Sequence, residues 1–229
     1  MREIRSHKRV NDILLGPIER PALAWLASRM PAWVTPDFLT GVGIVGAVII
    51  FASYFLTMFD KNFIWLASVG FLINWFGDSL DGTLARYRNI QRPKYGFFID
   101  HTVDAISIVL VFLGLGLSPY VRFDVACLAL IGYLLMALQI YLTTCVNGIF
   151  KLSYAKLGPT ELRVLAILAN AFVFFFGNPT FSLGGFKISV YDIISILLAG
   201  GLFIVFIIST ARIANELAEV DLHEAQLSQ

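Results

Sequence analysis

Six apolar runs organise the chain, each close to the roughly 20 residues that a helix needs to cross a bilayer. They fall at about Phe38 to Phe59, from Phe63 to beyond Gly77, Phe98 to Pro119, Val125 to Phe150, from Leu162 towards the turn-forming Gly177-Asn178-Pro179, and Ile188 to Ala211. The pattern predicts an all-α integral membrane protein of six transmembrane helices. Ahead of the first run, between Ile13 and Trp33, apolar residues such as Ile18, Leu23, Leu26 and Met30 mix with Glu19, Arg20 and Arg29. That mixture suits an amphipathic helix lying in the headgroup layer, the plain alternative being a cytosolic leader. Residues 1–8 lack the apolar stretch of a signal peptide. The organisation predicted is therefore an interfacial N-terminal segment (1–37), a six-helix membrane domain (38–211) and an acidic, helix-prone tail (212–229).

Composition agrees with a membrane protein. Of 229 residues, 58% are hydrophobic and 14% charged, against about 25% charged in soluble domains, and the mean hydropathy is +0.77. Lys and Arg number 17 against 16 for Asp and Glu, so no basic footprint for nucleic acid is present. Cys127 and Cys145 lie eighteen residues apart in one run, about 27 Å along a helix and far beyond disulfide reach. The cations are unevenly placed. Fourteen of them fall before residue 38, between Arg86 and Lys94, between Lys151 and Arg163, or at Arg212, which leaves Lys61, Arg122 and Lys187 on the other side. The positive-inside rule then puts both termini in the cytoplasm; in a prokaryote the membrane would be the inner one.

Membrane-level charge is concentrated where the second span ends and the third begins. Asp78 and Asp81 are spaced i, i+3, and Asp100 and Asp104 i, i+4, so each pair shares a helix face. The short connection from Tyr87 to Tyr95 makes the helices antiparallel neighbours and brings the pairs together. Four carboxylates at that depth repel one another and are costly to insert. Divalent cations resolve this, since all-oxygen ligation suits Mg²⁺, Mn²⁺ or Ca²⁺, and Mg²⁺ usually shares its shell with substrate phosphates. Asp78, Gly82 and Ala85 recur at i, i+4, i+7, a smooth strip that either admits a ligand or forms a helix-packing seam.

These residues resemble the signature of the CDP-alcohol phosphotransferase family: Asp-x2-Asp-Gly-x2-Ala-Arg, a short spacer, then Gly-x3-Asp-x3-Asp. Asp78, Asp81, Gly82, Ala85, Arg86, Gly96, Asp100 and Asp104 fill every fixed position, with a nine-residue spacer. The resemblance implies metal ligation by Asp78, Asp81, Asp100 and Asp104, which would hold two Mg²⁺ or Mn²⁺ ions. It implies a nucleotide site formed by Asp78, Gly82, Ala85, Arg86 and Gly96, with Thr40 of the Pro36-Asp37-Phe38-Leu39-Thr40 element. The reaction implied is attack of an alcohol on a CDP-linked phosphate with release of CMP, in a protein that forms homodimers. Asp104, or alternatively His101, would take the alcohol's proton. An Asn often follows the proline where Asp37 stands here.

Two features resemble the branch that joins CDP-choline or CDP-ethanolamine to a lipid alcohol: His101 directly after Asp100, and Gly158-Pro159-Thr160-Glu161. Thr102 departs from that branch, which has Gly there. Lys151, Lys156 and Arg163, with Glu161, form a candidate acceptor site; the three cations suit the other branch, in which CDP-diacylglycerol meets a polar alcohol such as glycerol phosphate, inositol phosphate or serine. Positive-inside topology alone also accounts for them. A cation transporter would instead carry its acids near mid-span, whereas Asp37, Asp60, Asp124 and Asp192 lie at span edges.

Overall fold

The computed structural model describes residues 14–147, 158–183 and 186–227. Its helices are α1 (Gly16–Arg29), α2 (Pro36–Leu56), α3 (Phe63–Tyr87), α4 (Pro93–Gly116), α5 (Phe123–Asn147), α6 (Pro159–Phe176) and α7 (Val190–Leu227), with a hairpin β1 (Thr180–Leu183) and β2 (Phe186–Ser189) before α7. Helices α2 to α7 are the six long and apolar enough to cross a membrane. The third span starts earlier than its apolar run, at Pro93, where proline suits the first helical turn.

The centre of the fold is the contact of α2 with α3, where glycines let two backbones touch. A Cβ on Gly77 would lie 2.3 Å from Gly43 N and 2.5 Å from Leu39 O; one on Gly46 would lie 2.4 Å from Asn74 N. Such approach is how membrane helices replace a hydrophobic driving force with dispersion. Helix α2 begins at an N-cap, Thr35, whose Oγ1 accepts from Phe38 N at 3.1 Å, with Pro36 behind it. Helix α3 ends in a Schellman motif: Asn89 N donates to Arg86 O and Ile90 N to Ala85 O, with Asn89 at φ 57.

Helix α1 is tied into the bundle rather than merely laid beside it. Leu23 and Ala27 are buried with Val34, Leu39, Leu80 and Leu84, while Leu14, Ile18, Trp25 and Trp33 stay exposed. Arg88 wraps the end of α1, donating to the carbonyls of Met30, Pro31 and Val34 at 3.0, 2.8 and 2.5 Å. Glu19 Oε1 accepts from Trp75 Nε1 (2.8 Å), Ser79 Oγ (3.2 Å) and Thr160 Oγ1 (2.7 Å), joining α1 to α3 and α6.

The hairpin corrects one expectation. Ile188 does not open the last span but lies in β2, paired with Phe181. The helix starts two residues later because Ser189 and Asp192 form a reciprocal cap: Asp192 N donates to Ser189 Oγ at 3.0 Å and Ser189 N to Asp192 Oδ2 at 2.8 Å. From there α7 continues without a break through Ala211 to Leu227, 38 residues in all.

Candidate active site

Helix α3 presents Asp78, Asp81, Gly82, Ala85 and Arg86, and α4 presents Gly96, Asp100, His101 and Asp104. The antiparallel arrangement brings the two aspartate pairs into mutual electrostatic contact: Asp81 with Asp78 and Asp100, and Asp104 with Asp78 and Asp100. On the α3 side each carboxylate is already held by a donor. Thr40 Oγ1 of α2 donates to Asp81 Oδ2 at 2.6 Å, and Gly82 N donates to Asp81 Oδ1. Arg163 Nη2 of α6 donates to Asp78 Oδ2 at 2.6 Å, while its Nε donates to Asn74 Oδ1 at 2.9 Å.

On the α4 side Asp100, His101 and Asp104 form a compact donor set. One ligand atom from each lies within 4.8 Å of the others, and His101 Nδ1 is 3.8 Å from Asp100 Oδ2 and 3.9 Å from Asp104 Oδ2. The imidazole packs edge-on against Phe97, ring centres 4.3 Å apart, and lies 5.4 Å from the Tyr141 ring. Carboxylate oxygens in this density fit a hard divalent cation such as Mg²⁺ or Mn²⁺.

The glycine strip resolves towards open space. A Cβ on Gly82 would meet only the Arg86 guanidinium, at 3.3 Å, and one on Gly96 would meet nothing within 4 Å. The seam is built by Gly43, Gly46, Gly70 and Gly77 instead, so the Gly82 face is not a packing surface. Arg86 is exposed, and its Nη2 donates to Thr83 Oγ1 at 3.0 Å. Asp37, at the position where an Asn is frequent, pairs with Arg92 across the starts of α2 and α4.

Of the candidate acceptor residues, Glu161 and Arg163 lie among the described residues. Lys151 and Lys156 lie outside the described residues. Glu161 is buried and both its oxygens are taken by backbone donors, Leu15 N at 2.7 Å and Gly158 N at 2.9 Å, so it fastens the start of α6 to α1. Arg163 reaches the aspartates, through Asp78. One residue beside the aspartates escaped the sequence reading, Asn74, which accepts from Arg163 Nε. Asn74 carried a signal: it is one turn before Asp78 on the same face and polar within an apolar stretch, which in a membrane helix marks a partner.

A groove of about 430 Å³ adjoins the Asp-His-Asp set, lined by Phe97, Phe98, His101, Thr102, Ala105, Ile106 and Tyr141. Its walls are almost wholly apolar. Residues 33–206, which contain both aspartate pairs, match the CDP-alcohol phosphatidyltransferase family. The chain belongs to this family. It is similar to archaetidylinositol phosphate synthase of Pyrococcus horikoshii, 31% identical over 140 residues covering 61% of this chain and 70% of that protein. It is similar also to cholinephosphotransferase 1 of Gallus gallus, 30% identical over 175 residues, 69% of this chain and 50% of that protein. A third relative is phosphatidylinositol phosphate synthase of Cutibacterium acnes, 34% identical over 86 residues, 38% of this chain and 39% of that protein. The chain thus spans about half the length of the Gallus gallus protein. CDP-alcohol phosphotransferases are transferases of phosphate-containing groups that act in phospholipid synthesis and use divalent metals.

Proposed function

We propose that this chain transfers a substituted phosphate from a CDP-linked polar alcohol, of the CDP-choline or CDP-ethanolamine kind, to a lipid alcohol, with release of CMP. The observation that supports this donor and acceptor is the apolar groove of Phe97, Phe98, Ala105, Ile106 and Tyr141 beside His101, Asp100 and Asp104. A lipid alcohol can lie along such a wall with its hydroxyl at the polar end, whereas a sugar phosphate would find no partners there.

The carboxylates of Asp78, Asp81, Asp100 and Asp104 would hold Mg²⁺ or Mn²⁺. A divalent cation bound there supplies charge neutralisation at the diphosphate and fixes its geometry. The open backbone at Gly82 and Ala85 lets the cytidine nucleotide approach α3, with Thr40 keeping Asp81 oriented. Asp104, one turn from Asp100, removes the proton of the attacking hydroxyl, and His101 braces both carboxylates from between them. The bond formed joins the acceptor oxygen to the phosphorus of the transferred group; the bond broken joins that phosphorus to the oxygen leaving with CMP.

A second reading, CDP-diacylglycerol with a polar alcohol acceptor, is favoured by the similarity to archaetidylinositol phosphate synthase, of which the chain covers the larger share. Purified protein with Mn²⁺, given either CDP-choline and diacylglycerol or CDP-diacylglycerol and inositol phosphate, separates the two by CMP release. We expect release with the first pair, and a raised KM for diacylglycerol without change in CMP affinity in Ala105→Trp. Release with the second pair alone would overturn the donor assignment. We further propose, from the uneven placement of the cations, that both termini and the α3–α4 connection face the cytoplasm. Gln91→Cys in a cysteine-free background, chosen because Asn89 has a positive φ, should be shielded from an impermeant thiol reagent added outside intact cells; labelling there would reverse the orientation.

A further inference from the structure

One cation at the heart of the site is only partly used. Arg163 keeps 13% of its side chain exposed. Its Nε and Nη2 are committed to Asn74 and Asp78, but Nη1 is buried and has no hydrogen-bond partner among the described residues. A guanidinium is a planar fork suited to phosphate or carboxylate oxygens, and a buried donor without an acceptor is unfavourable enough to need an explanation. Asn74 is a fixed pivot for this fork: its Nδ2 donates to Gly43 O at 2.9 Å, and its backbone is pressed against Gly46. Nε can therefore stay in place while the two Nη groups change partners.

Asp78 Oδ2, the oxygen that Arg163 occupies, belongs to one of the four signature carboxylates. A divalent cation and a guanidinium compete for it, since each neutralises the same charge and they repel each other. We propose that Arg163 is a transferable counter-charge: it neutralises Asp78 while the site holds no ion, and when a divalent cation takes Asp78 its fork passes to a phosphate of the incoming nucleotide, with Nη1 as the first contact. This explains how the carboxylate cluster persists without an ion. It also makes cation and phosphate binding mutually reinforcing, because each removes the competitor of the other. Only the identity of the phosphate rests on the transfer reading; the competition for Asp78 stands apart from it.

The test uses the full chain in detergent and no turnover. Mn²⁺ binding without nucleotide is followed by electron paramagnetic resonance, and CMP and cytidine binding at saturating Mn²⁺ by calorimetry. Arg163→Gln should bind Mn²⁺ about tenfold more tightly, the scale on which neighbours of metal ligands tune affinity, and its preference for CMP over cytidine should fall about tenfold or more. Arg163→Lys keeps the charge without the fork, so its Mn²⁺ affinity should stay near wild type while the CMP preference falls. Unchanged or weaker Mn²⁺ binding in Arg163→Gln would overturn the counter-charge, and an unchanged CMP preference would overturn the hand-over. If Arg163→Gln does not fold, Arg163→Lys decides through the CMP preference. Both binding changes in a protein that transfers no CDP-linked alcohol would sink the transfer reading and leave this one standing.

Discussion

The two sides of the aspartate cluster are held to different tolerances. On the α2–α3 side backbones meet through Gly43, Gly46 and Gly77, and 44% of each helix's most apolar window is buried. Asp81 is pinned by Thr40 and Asp78 by Arg163. On the α4 side 17% of the window is buried, Phe98 and Ile106 lie exposed, and the Asp100–His101–Asp104 set borders an open groove. A close-packed wall resists change in shape, so under the proposed function it would suit the constant partner of the reaction, the cytidine nucleotide with its cation. The looser wall would suit the partner that varies, the acceptor.

The most severe way to break this contrast is Gly77→Ala. Its new Cβ would sit 2.3 Å and 2.5 Å from backbone atoms of α2, so the cost should reach at least about 3 kcal/mol, the top of the usual overpacking range. Loss of the folded peak on size-exclusion chromatography would show it. Gly82→Ala and Gly96→Ala, the same change on the open side, should stay within about 0.5 kcal/mol by thermal melt. If Gly77→Ala melts with wild type, the rigid half is misidentified.

Chemistry should divide by side as well. Asp104→Asn should lower turnover by roughly 10²–10⁴-fold, the loss expected for a general base, with His101→Ala within about tenfold. The reverse asymmetry, with recovery in added imidazole, would move the base to His101. Next in size, Asp78→Asn strips the partner from a largely buried Arg163. Because the two side chains keep 13% and 16% exposure, the cost should be about 2 kcal/mol, below the 3–5 kcal/mol of a fully buried pair. Melting of Asp78→Asn at the wild-type temperature would show that the Arg163 pair carries no stability. Smallest should be Thr40→Val, about 1.5 kcal/mol for a hydrogen bond to a charged group, read as a lower melting temperature with retained Mn²⁺ binding.

Much of this architecture was legible in the chain because it depends on local spacing. Hydropathy marks six spans, and i, i+3 or i, i+4 intervals put each aspartate pair on one face whatever surrounds it. What hydropathy could not reach were contacts between residues far apart in sequence. Arg163 lies 85 positions from Asp78, and nothing local to either distinguishes an internal ion pair from a topology signal. Glu161 is a candidate acceptor residue by sequence, and the structure adds that one of its oxygens accepts from Leu15 N, 146 positions away. Glu19 read as part of the polar face of a surface helix, while its carboxylate is spent on Trp75, Ser79 and Thr160. The hairpin had a signal that the apolar run concealed: Thr180 to Leu183 and Phe186 to Ser189 alternate polar and apolar residues around Gly184-Gly185, a two-residue pattern that hairpins favour.

Helix α7 has a mechanical consequence. At 1.5 Å per residue its 38 residues make a rod about 57 Å long, whereas the hydrocarbon layer is about 30 Å thick. Around 25 Å of continuous helix must therefore stand clear of the lipid tails or lean along the surface. A fluorophore at Leu222 would report which by its energy transfer to a dye in the headgroups, and an upright rod would work as a standoff, fixing how near the bilayer a body attached at that height could come.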